Sequence, residues 1–157
     1  MRIAAWLLIL AMVLTGVTAL QMHAPPRLAA WSGNNAHPLI LDRTGRPLRM
    51  SFADSWNLNQ QIKLDRIPPF LTSAVLQAED RDFYSHHGVD WRARWSGLWL
   101  NFRRGRTLRG ASTISEQVVR MLHPRPRSLW SKWLEGWEAV WLETRNSKSE
   151  ILEFYLK

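Results

Sequence analysis

Between Glu79 and Gly88 the chain reads Glu79-Asp80-Arg81-Asp82-Phe83-Tyr84-Ser85-His86-His87-Gly88, which sets three carboxylates and two imidazoles ahead of a glycine. Groups of these types accept and donate protons, and the glycine lets the backbone turn so that they can converge. The apolar residues Phe70, Leu71, Ala74, Val75 and Ala78 lead into this stretch at helical spacing, after Pro68-Pro69. Glu79 is therefore expected at the edge of a buried stripe. Partial desolvation there favours the neutral carboxyl and suits a general base. The alternative is that Glu79, Asp80 and Asp82 are a solvated helix end with Arg81 as their partner.

A second dense stretch is Arg109-Gly110-Ala111-Ser112-Thr113-Ile114-Ser115-Glu116-Gln117. Glycine and small hydroxyl residues ahead of an apolar helical run (Val118, Val119, Leu122) present backbone N–H groups where an anion can bind. The same residues also spell a capping box, with Glu116 three positions after Thr113. A third pair, Lys132 and Glu135, lies on one side of a helix, where a surface ion pair is the simplest account.

The elements that must position these groups are helical. Trp91, Trp95 and Trp99 recur every four residues with Leu98 and Phe102 beside them and arginines on the flanks, and Gly105 is expected to end that helix. Such a stripe is either a core face or a face for the membrane interface. From Lys132 to Leu156 the pattern is helix, turn, helix. Trp133, Trp137 and Trp141 share one face, Arg145-Asn146-Ser147 interrupts, and Ser147 or Ser149 caps the second helix. A hairpin is expected over Leu39 to Met50, turning at Asp42-Arg43-Thr44-Gly45.

The 157 residues allow one domain with a moderate core, and the absence of cysteine excludes disulfides and thiolate metal sites. Five histidines offer no ready metal-ligand spacing. The net charge of +8 is concentrated: from Trp91 to Lys132 ten Lys or Arg residues face one acid, Glu116. The partner should be anionic, either phospholipid, diphosphate or nucleic acid. Ile3 to Leu20 is an uncharged run of eighteen residues, behind Arg2, and is just long enough to span a bilayer. A cleaved signal peptide ending at Val17-Thr18-Ala19 is the rival reading. Either way the functional part is exported, which argues against nucleic acid. The expected organisation is a membrane anchor over 1–20, a Pro- and Asn-containing linker over 21–38 and one domain over 39–157.

Taken together, these stretches resemble the peptidoglycan glycosyltransferase (transglycosylase) domain of glycosyltransferase family 51, found in class A penicillin-binding proteins, most of all their 1C branch. Four motifs fall in the family's order: Glu79-Asp80, Phe83, His86, Gly88 and Asp90; Gly110, Ser112-Thr113-Ile114 and Gln117; Lys132 with Glu135; and Lys148, Ile151-Leu152-Glu153 and Tyr155-Leu156. The chain departs at Ala111, Glu116, Arg120 and Ser131, where the family often has glycine, glutamine, lysine and arginine.

The resemblance implies a mainly α, lysozyme-like glycosyltransferase domain, incomplete at its C-terminal end, with a small N-terminal β-hairpin and one preceding transmembrane helix. It implies Glu79 and Glu135 as catalytic residues. Asp80, Phe83, His86, Gly110, Ser112, Thr113, Gln117, Arg120 and Lys132 are the implied substrate contacts. The implied reaction joins lipid II to a growing lipid-linked glycan, with inversion at the anomeric carbon. No tightly bound cofactor is expected, with a divalent cation, Mg or Mn, as the one optional addition. The implied setting is the extracytoplasmic face of the bacterial plasma membrane, among phospholipid and other cell-wall synthases. An inactive lipid II-binding fragment and a lysozyme-like glycosidase are the competing readings. The truncation is further expected to leave the face of Ile151, Phe154 and Leu156 unburied, and the chain marginally stable and weakly active.

Overall fold

A computed structural model describes residues 2–30, 42–45, 63–104 and 112–156. Among the described residues, six α-helices carry the architecture: α1 (Arg2–Gln21), α2 (Pro69–Glu79), α3 (Trp91–Arg104), α4 (Ile114–Leu122), α5 (Leu129–Arg145) and α6 (Lys148–Leu156). Short 3-10 turns lie at Leu28–Ala30 and Leu64–Arg66. The mainly α expectation therefore holds. The β-hairpin is not supported: no strand occurs among the described residues, and the arms of the hairpin lie outside them. The turn itself is present, with the Gly45 N–H donating to the Asp42 carbonyl at 3.0 Å.

The core forms where α4 packs on α5 and α6. Ile114, Val118 and Val119 of α4 meet Ala139 and Leu142 of α5 and Ile151, Leu152 and Phe154 of α6, with Phe83 inserted from the loop after α2. Each large apolar side chain buried here stabilises the fold by about 1.5–3 kcal/mol. Ile151 and Phe154 are 0% and 4% exposed, so the expectation of an open α6 face is overturned. Spacing showed that these residues share a face. It did not show that α4 and the chain ahead of it cover that face.

The opposite holds for α2, in which no residue is buried. Phe70 is 85% exposed, and the run ahead of Glu79 is not a stripe turned into a core. Along α3, Trp91, Trp95, Trp99 and Phe102 are also exposed, so the core-face alternative for this stripe does not hold.

The chain after α1 is fixed over residues 22–28. Asn146 accepts from the Leu28 N–H at 2.7 Å and donates to the Pro26 carbonyl at 3.1 Å, while Arg145 donates to the Pro25 carbonyl. Glu138, fully buried, accepts the His23 N–H at 2.7 Å and is held by Arg125 through both carboxylate oxygens. Leu28 enters the core cluster. A stretch with the composition of a linker thus forms a strap along α5.

Candidate active site

The loop between α2 and α3 is built to hold the start of α4. Asp80 is the C-cap of α2 and only 8% exposed. Its carboxylate accepts the Ile114 N–H at 2.9 Å, while His86 Nε2 lies 3.1 Å from both oxygens. Thr113 caps α4 and completes a capping box with Glu116; its hydroxyl also donates to the Gly88 carbonyl at 2.6 Å. Glu116 is fully buried and paired with Arg94 of α3. A helix N-terminus favours negative charge. Here that charge is the protein's own, so the anion site expected at this helix end is taken by Asp80 and the cap.

Gly88 has a reason to be glycine. Its φ is +77°, and a Cβ would lie 2.6 Å from Val140 Cα and 2.7 Å from the Ala139 carbonyl carbon. The loop therefore seats its backbone directly on α5.

A row of polar side chains runs outward from this support. Glu79, at the end of α2, is exposed, and Gln117 Nε2 donates to its Oε2 at 3.0 Å. The Gln117 Oε1 accepts from the Tyr155 hydroxyl at 3.2 Å. Burial raises the Tyr155 pKa, and the Glu79 charge adds to that rise. Glu79 is thus not at the edge of a buried stripe; it has one amide donor and open access to solvent. One turn along α4, Arg120 reaches Glu135 with Nε at 3.1 Å and a terminal nitrogen at 2.8 Å. That hydrogen bond to Glu135 holds the guanidinium pKa above its usual value, so Arg120 is cationic throughout. Lys132, one turn before Glu135 on α5, is exposed and hydrogen-bonds the Ser112 hydroxyl.

The sequence-derived set therefore divides. Glu79, Gln117, Arg120, Lys132 and Ser112 form the open row. Glu135, 3% exposed, lies behind it and orients Arg120. Asp80, Thr113 and His86 tie the loop to α4. Phe83 is fully buried, with the Lys148 ammonium 4.3 Å from its ring centre. Gly110 lies outside the described residues. Tyr155, though part of the fourth motif, and Arg94 carry no site role in the sequence reading. Tyr155 sits in an apolar helical run that reads as core, and the Arg94 partner is twenty-two residues away.

The described residues do not make a protein-held divalent cation site. Both oxygens of Glu135 are engaged by Arg120, and no group of three His, Cys, Asp or Glu side chains able to hold a metal occurs among the described residues.

Comparison with known proteins gives a consistent picture. The family model described as Transglycosylase matches residues 45–157. The chain is 32% identical to penicillin-binding protein 1C of Escherichia coli over 140 residues, 82% of this chain and 18% of that protein. It is 38% identical over 122 residues to the biosynthetic peptidoglycan transglycosylase of Xylella fastidiosa (strain M12), 75% of this chain and 50% of that protein. Penicillin-binding protein 1A/1B of Bacillus subtilis is 36% identical over 118 residues, 74% of this chain and 13% of that protein. The chain thus spans between about one eighth and one half of the length of these relatives.

Proposed function

Because the chain belongs to the transglycosylase family, we propose that it is a peptidoglycan glycosyltransferase that polymerises lipid II into glycan strands for the cell wall. The single observation that carries the reading is the open row across the end of α2 and along α4 and α5, with a solvent-accessible carboxylate, Glu79, at one end and two cations, Arg120 and Lys132, along it. In the proposed step the 4-hydroxyl of lipid II attacks the anomeric carbon of the lipid-linked glycan as the bond from that carbon to the diphosphate oxygen breaks. Glu79 takes the hydroxyl proton. Lys132 and Arg120 face the negative charge that builds on the departing polyprenyl diphosphate. Attack opposite the leaving group inverts the anomeric centre. Glu135 acts through Arg120, as a positioning residue. A divalent ion has no ready seat among the described residues and would arrive with the diphosphate.

Membrane attachment fits this substrate. Helix α1 is long and apolar enough to cross a bilayer. Its last turn is fixed to the domain, since Thr18 is only 7% exposed and accepts from the Trp133 indole at 3.0 Å. Cleavage after Ala19 would remove that partner, which supports a retained anchor; the extracytoplasmic side is proposed from the lone Arg2 ahead of the span. The exposed Trp91, Trp95, Trp99 and Phe102 of α3, with Arg92, Arg103 and Arg104 nearby, suit contact with anionic phospholipid headgroups.

The test is incubation of the detergent-solubilised chain with lipid II and separation of the products by size. Long glycan is expected from the parent and not from Glu79→Gln. Absence of glycan from the parent, with lipid II still bound, overturns the enzymatic reading.

A further inference from the structure

Helix α5 carries another exposed apolar face, next to the end of α1. Leu129, Trp133 and Trp137 recur every four residues and are 90%, 36% and 43% exposed. The two indoles meet edge to face with centres 5.7 Å apart. Large apolar side chains gathered on one open face mark an interaction surface. Its neighbour identifies the partner. The Trp133 indole donates to Thr18 Oγ1 at 3.0 Å, and the Trp130 indole donates to Gln21 Oε1 at 2.6 Å. Both acceptors belong to the last turn of α1.

Length then sets the depth. The nineteen-residue apolar span Ile3–Gln21 extends roughly 28 Å at the helical rise, against a hydrocarbon core about 30 Å thick. The whole helix is needed to cross, so Thr18 and Gln21 lie at the boundary between hydrocarbon and headgroups. An indole bonded to Thr18 lies at that depth too, in the layer that amphipathic rings favour. Exposed Arg127 and Lys132 stand beside the face and select for negative charge.

We propose that the Leu129, Trp133 and Trp137 face of α5 is a docking surface seated in the headgroup layer of an anionic phospholipid bilayer, with the two indole bonds to α1 setting its depth. The inference rests on reading α1 as a membrane span. Its consequence is positional: α5 also carries Lys132 and Glu135, so docking holds the open row close to the headgroups, where the diphosphate of a lipid-linked substrate sits.

The absence of native cysteine makes single nitroxide labels clean. The full chain is reconstituted in phosphatidylglycerol and phosphatidylethanolamine vesicles as Leu10→Cys, Leu129→Cys, Trp137→Cys or Ser149→Cys. Collision with oxygen and with a water-soluble nickel chelate reads depth. Leu10 should report the hydrocarbon, Leu129 and Trp137 the boundary layer, and Ser149, exposed on α6, the aqueous phase. Labels at 129 and 137 as open to the chelate as 149, with 10 still deep, overturn the docking surface while leaving the anchor intact. An aqueous Leu10 label overturns both. Replacing phosphatidylglycerol by phosphatidylcholine should at least double chelate access at 129, and Thr18→Val should move the same label outward. No change in either arm overturns, respectively, the anionic preference and the role of the indole bond.

Discussion

Gln117 donates its side-chain amide to Glu79 at 3.0 Å, joining the first residue of one dense stretch to the last residue of another, thirty-eight positions on. The Glu79 carboxylate, which only accepts, draws the amide NH2 toward itself, and the Tyr155 hydroxyl, donating to Oε1 at 3.2 Å, braces the amide in that orientation. With the amide reversed, two oxygens would face each other. Tyr155→Phe keeps the ring and removes the constraint. A neutral hydrogen bond is worth about 1 kcal/mol, so kcat should fall about fivefold with KM little changed. Initial rates of lipid II polymerisation measure this, and an unaltered kcat would show that Gln117 is held by other means.

Glu79→Gln retains shape and hydrogen bonding but cannot take a proton. Turnover should drop by about two orders of magnitude or more. Because Glu79 is exposed, the melting temperature should stay within about 1 °C of the parent, as for surface substitutions away from structural features. Polymerisation at parental rate would remove Glu79 from the mechanism.

The two outcomes at glycine positions can be separated. Gly88 and Gly45 have similar positive φ values, +77° and +82°, but a Cβ at Gly45 meets nothing within 4 Å among the described residues. Gly45→Ala should therefore cost about 1–2 kcal/mol, the conformational term alone. Gly88→Ala adds a backbone collision with α5 and should cost several kcal/mol by the same reasoning. Equal losses in denaturant titrations of the two variants would mean that the loop can lift off α5.

The helices and the order of the motifs could be read in the sequence because periodicity and capping are local: Thr113 and Glu116 announce their box from three residues apart. Which faces are covered could not. Ile151 and Phe154 are buried while Phe70 and Trp95 are open, though all four belong to apolar helical runs, because burial depends on what else packs there. The same limit explains the site. Asp80 was read as a substrate contact, but its partner is the Ile114 amide, thirty-four residues away. The strap over 22–28 looked like a linker because its hold on α5 comes from Glu138, Arg145 and Asn146, which no local pattern connects to it.

The α3 stripe makes a separate membrane prediction. Residues 21–157, without the span, should still bind vesicles rich in anionic lipid and leave them as salt rises. Replacing Trp95 and Trp99 by Ser should weaken this binding about tenfold, since both rings are well exposed and give up only interfacial area. Sedimentation with vesicles tests it. Undiminished binding would place the contact elsewhere on the chain.

His123 gives the strap a pH dependence. Its ring stacks on His23 with centres 4.7 Å apart, and its Nε2 is enclosed without a hydrogen-bond partner among the described residues. Burial lowers its pKa; Glu138 opposes that, while His23 and Arg125 reinforce it. The folded state thus prefers neutral His123, whereas the unfolded chain protonates near pH 6.5. Stability from this group is complete above that value and is lost as pH falls from about 6.5 toward the lower folded value. Since His23 is also bonded to Glu138 through its backbone, the loss should fall first on the attachment of residues 22–28 to α5. Melting curves between pH 7.5 and 5.5 should show a decline, and His123→Phe, which stacks without titrating, should flatten it. An equally steep decline in that variant would assign the acid sensitivity to another group.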